Sequence, residues 1–79
     1  MRAVIETIKS DGVFMFKRPT EILYELGPKV NNCFEFWEVD KKGEIKNVCL
    51  TSTVHRVTKQ GSIWRIKTKT SEYELRKVK

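Results

Sequence analysis

A chain of 79 residues has room for one domain with a small core, too small for a second domain. Lysine and arginine number 16 against 10 acids, a net charge of +6, and the excess lies late: residues 1–40 hold five basic and seven acidic side chains, residues 41–79 eleven and three. That asymmetry favours a nucleic acid or an acidic protein surface as partner, while the lack of any apolar run near the about 20 residues of a membrane helix, and of a basic-then-apolar leader, leads us to expect a cytoplasmic protein with no membrane partner.

Two β-rich runs open the chain, Ala3 to Lys9 and Val13 to Lys17, and Ser10-Asp11-Gly12 between them predicts a hairpin. Which face is buried stays open, because Ile5 and Ile8 differ in parity and Phe14, Met15 and Phe16 are apolar on both sides. Residues 20–26 suit two readings. Thr20 can cap a short helical turn that Gly27 and Pro28 end, and Ile22, Tyr24 and Leu26 also alternate as in a strand. The short helical turn or an irregular arm is the preferred expectation.

Cys33 to Asp40 and Glu44 to Thr51 follow as a second hairpin across Lys41-Lys42-Gly43, with Asp40 starting a type I turn and Gly43 left-handed. That register sets Phe34 and Phe36 opposite Leu50 and Val48 in the main core. It leaves Trp37, Val39 and Ile45 as a separate apolar cluster, covered by the N-terminal hairpin or by another molecule. Cys33 and Cys49 fall on one face as diagonal neighbours, and reduced packing residues are the expected state.

Ser52 to Lys79 alternates in polarity through three short segments, which predicts an antiparallel meander. Turns at Gln60-Gly61 and Thr70-Ser71 put Val57, Trp64, Ile66, Tyr73 and Leu75 on one apolar side. Arg56, Arg65 and Arg76 then form one row on the opposite face, beside Lys67 and Lys69. In this register Glu74 faces Lys67 and Glu72 faces Lys69, so the arginines have no acidic partner. Guanidinium groups offer planar, paired donors suited to phosphate, whereas the plainer reading is a solvated surface of long side chains.

Chemistry-bearing motifs are absent. The single histidine, His55, is expected at the edge of the core face and has no partner at metal-ligand spacing. Only four glycines occur, none in a phosphate loop, and the acids are scattered. We therefore expect no enzyme, no catalytic residue, no metal, no cofactor and no small-molecule substrate.

Thr51-Ser52-Thr53-Val54 and the run Thr68 to Leu75 resemble the tail of small SH3-like β proteins recurring in phages and prophages of Gram-positive bacteria. The resemblance covers about the last third and implies a compact barrel and a mobile-element setting. It supplies no functional residues. The sequence thus predicts a mostly β domain over residues 1–79, an SH3-like barrel or open roll of five to seven strands. Two functions compete: phosphate binding through Arg56, Arg65 and Arg76 with Lys67 and Lys69, or a protein-interaction or inhibitor surface at Trp37, Val39 and Ile45 or at a sheet edge.

Overall fold

A computed structural model describes residues 1–10, 16 and 18–78. They form six strands: β1 (Arg2–Ser10), β2 (Thr20–Leu23), β3 (Cys33–Val39), β4 (Ile45–Gln60), β5 (Ile63–Thr68) and β6 (Ser71–Lys77). Each strand pairs antiparallel with the next, and β6 returns to β1, closing the small barrel that the alternation predicts. Closure leaves no outer strand of the sheet unpaired along its whole length. Among the described residues no helix is long and apolar enough to cross a membrane.

Inward positions from every strand fill the barrel: Ala3, Ile5, Ile22, Phe34, Phe36, Cys49, Val54, Ile66, Tyr73 and Leu75. Phe16 and Tyr24 complete this core. Four rings run through it in contact, Phe16 to Phe36 at 5.6 Å, Phe36 to Phe34 at 5.1 Å and Phe34 to Tyr24 at 5.8 Å between centroids. The tilted and edge-on geometries are those aromatic quadrupoles favour.

In β1 plain alternation resolves the ambiguity over Ile5 and Ile8: Ala3, Ile5 and Thr7 point inward and Ile8 is exposed. The register with β6 shifts between Thr7 and Lys9, which turns Lys9 outward as well. Asp11 and Gly12 of the predicted turn, and all of Val13 to Lys17 except Phe16, lie outside the described residues. Phe16 does sit beside β1, its carbonyl accepting from Thr7 N at 2.8 Å.

Residues 20–26 correct the helical expectation. Thr20–Leu23 is a strand, because Ile22 pairs with Ala3 on one side and Glu38 on the other and is fully buried. Two neighbouring strands supply more hydrogen bonds and burial than a helical turn of six residues could.

The second hairpin turns as predicted. Gly43 N donates to Asp40 O at 2.9 Å, Gly43 has φ +83°, and Val39 faces Ile45. One step later Lys46 bulges out of β4, so Glu38 faces Asn47 and Phe36 faces Cys49. A single extra residue sends every later side chain to the opposite face. Val48 and Leu50 therefore point outward, 67% and 61% exposed, and Cys49 and Thr51 take the core positions assigned to them. The cysteines also separate: Cys33 is exposed, Cys49 is buried, and both are free thiols.

Both C-terminal hairpins form with their turns displaced. The first loop is Gly61-Ser62, with Gly61 at φ +61° in the first central position as a type II′ turn requires. The second is Lys69-Thr70, closed by Thr68, whose hydroxyl receives Ser71 N at 3.1 Å and donates to Ser71 O at 3.2 Å. Each displacement moves the pairing by two residues, which preserves parity. Val57, Trp64, Ile66, Tyr73 and Leu75 therefore keep to one side, but the facing partners change. A bulge at His55, between the Val54–Thr68 and Arg56–Lys67 pairs, turns that imidazole outward and corrects its placement at the core edge.

Candidate nucleic-acid interface

Alternation along β4, β5 and β6 puts Arg56, Arg65, Lys67 and Arg76 on the outer surface, all exposed, with Lys69 in the following turn. They share a face, as expected, but the three arginines do not form a row. Arg56 faces Lys67, Arg65 faces Thr58 and Glu74, and Arg76 faces Ile63. The two-residue displacement brings Glu74 between two of them. Its carboxylate lies 3.8 Å from Arg65 Nε and 3.8 Å from Arg76 Nε. The expectation of unpartnered arginines is thus corrected for Arg65 and Arg76. Both guanidinium groups stay about half exposed, so these are surface pairs of small energy.

The cationic row that does exist runs Arg56, Lys67, Glu72, Lys9 across four strands. Among the described residues Arg56, Lys67, Lys69 and Lys9 have no carboxylate within 4.0 Å. Glu72 stands between Lys67 and Lys9 and offsets part of their charge. Lys9, Lys67, Lys69, Thr70, Ser71 and Glu72 line one depression, and Arg56, Arg65, Lys67 and Glu72 line the adjoining one. The turn between them is pinned from both sides. Ser52 Oγ lies 3.2 Å from Thr70 Oγ1, and Ser71 Oγ donates to Ser10 Oγ at 2.9 Å.

Among the described residues no aromatic face accompanies this row. Tyr73 is buried, and Trp64 points to the other side of β5, where Lys59 and Lys77 place their ammonium nitrogens 4.4 and 4.3 Å from its ring centroid. The arrangement can grip phosphate oxygens, and it lacks the stacking platform of single-strand readers.

The second predicted site is divided. Val39 faces Ile45 as expected, but the three differ in exposure: Val39 is buried, Trp37 is half-buried and Ile45 is 59% exposed. Trp37 instead faces Leu23 on one side and Val48 on the other, with Leu50 across from Glu35 in the next row. Three functional candidates escaped the sequence reading. Lys9 joins the cationic row only through β1–β6 closure, which carries no local signal. Val48 and Leu50 were hidden by the Lys46 bulge, for which the sequence carries no local signal. Comparison with protein-family models, curated proteins and solved structures returns no match.

Proposed function

We propose that this chain is a non-enzymatic binding module that grips the phosphate backbone of nucleic acid through Arg56, Lys67, Lys69 and Lys9, with Arg65 and Arg76 at the margin. The carrying observation is Arg56 directly opposite Lys67, neither of them in an ion pair within 4.0 Å among the described residues. Like charges facing each other across a ladder cost stability, and an anionic ligand removes that cost. Phosphate contacts position without specifying, so binding is weakly selective for sequence. Three or four contacts give a log–log salt slope of about −3 to −4 on duplex DNA. Polarisation titration of a labelled duplex at several salt concentrations tests this, and no binding at low salt refutes it. The same proposal keeps the cytoplasmic location expected from the sequence and the mobile-element setting that the resemblance implies.

A second reading has an observation of its own. Val48 and Leu50 are 67% and 61% exposed beside Trp37, an apolar strip suited to a protein partner. Val48→Ser with Leu50→Ser abolishes capture of such a partner and leaves duplex binding intact.

A further inference from the structure

Between the outer surface of β3 and the segment that follows β2 lies a cleft of about 390 Å³. Glu25, Leu26, Lys29, Cys33, Glu35 and Trp37 are among the residues that line it. Neither Glu25 nor Glu35 has an ion pair or side-chain hydrogen bond among the described residues. Trp37 is half-buried beside them, and Leu26 is 74% exposed at the rim.

The two tryptophans differ in a telling way. Trp64 carries two of the chain's own ammonium groups over its ring, whereas among the described residues none lies over Trp37. An indole beside unpaired carboxylates attracts a cation both through its ring and through charge-assisted hydrogen bonds. Lys29 offsets one of the two acids, so the local balance suits a single positive group. Glu25 and Glu35 are both exposed residues, and their charges repel an anionic occupant. Glu35 and Trp37 also face Leu50 and Val48 across the β3–β4 ladder, so the cleft and the exposed apolar strip share a border.

We propose that this cleft holds the guanidinium or ammonium group of a basic side chain of a partner protein, with a neighbouring apolar side chain of the same segment resting on Val48 and Leu50. The inference deepens the reading of that strip as a protein-interaction surface, and it rests on that reading only for the apolar contact.

The capped peptide acetyl-Arg-Gly-Leu-amide tests it, with a second peptide carrying citrulline, a neutral isostere, in place of arginine. Binding is read from the indole N–H signals of Trp37 and Trp64 and from protection of Cys33 against iodoacetamide, with buried Cys49 as internal control. The arginine peptide shifts the Trp37 signal, leaves that of Trp64 in place and slows Cys33 alkylation. Citrulline binds about ten-fold more weakly or worse. Glu25→Gln with Glu35→Gln loses a similar factor while the backbone amide spectrum stays that of the folded protein. Equal binding of the two peptides overturns the proposal, as does full affinity in the glutamine variant. Val48→Ser with Leu50→Ser separates the parts. Peptide binding kept there, but lost in the glutamine variant, upholds the cation site and removes the apolar strip. The reverse pattern upholds the strip and overturns the cation site.

Discussion

Arg65 lies directly across the β5–β6 ladder from Glu74, whose carboxylate also reaches Arg76 on its own strand, with both contacts at 3.8 Å. One acid thus restrains two of the three outward arginines. Glu74→Gln should release both. Duplex affinity should rise about three-fold or more, and the salt slope should steepen by about 1 to 2 as the freed groups join the contact. Polarisation titrations of the variant and the parent across salt check this.

Arg56 facing Lys67 is a liability to the fold if it is an asset to binding. Arg56→Glu turns this repulsive pair into an attractive one and leaves Lys67 facing Glu72. Denaturant unfolding should show a gain of about 0.2 to 1 kcal/mol, while duplex affinity falls at least ten-fold at low salt. The opposite signs of the two effects distinguish a functional row from an incidental one.

The Lys46 bulge makes a test of register in three neighbouring residues. Val48→Ser and Leu50→Ser should each change stability by no more than about 0.5 kcal/mol, since both side chains already face water. Phe36→Ala, which removes a ring packed on Phe16 and Phe34, should cost about 3 to 5 kcal/mol. Without the bulge Val48 and Leu50 would sit in the core, and their serine variants would be severely destabilised.

Tyr24 is buried, its hydroxyl has no hydrogen-bond partner among the described residues, and burial raises the phenol above its ordinary value. Folding therefore favours the neutral phenol. The stability tied to Tyr24 is fully present below about pH 10 and is lost as the pH climbs toward the raised value in the fold. Tyr24→Phe should match or exceed the parent in thermal stability at neutral pH. It should also lose less stability than the parent above pH 10, as urea unfolding at stepped pH will show.

How far the sequence revealed this fold depends on which interactions set each register. Alternation in Val57, Trp64, Ile66, Tyr73 and Leu75 named the buried side correctly although both turns were displaced, because each displacement was by two residues and parity survived. The charge partners did not survive, since facing pairs depend on the register itself. In β4 an odd shift at Lys46 inverted the faces, and nothing local to Ile45–Leu50 encodes it. The Asp40–Gly43 turn, by contrast, was legible because left-handed φ at Gly43 is a local requirement. Lys9 could not be assigned to the site, because its place there depends on closure between the first and last strands.

The most direct measurement of the central claim compares duplex binding by Arg56→Glu with Lys67→Glu, and by Arg76→Glu alone, at fixed low salt with folding confirmed by amide spectra. The double reversal should abolish binding, and the reversal at Arg76, already tied to Glu74, should weaken it only a few-fold. Binding that survives the double reversal, or that depends on Arg76 as strongly as on Arg56 and Lys67 together, would contradict a phosphate grip centred on the Arg56–Lys67 pair.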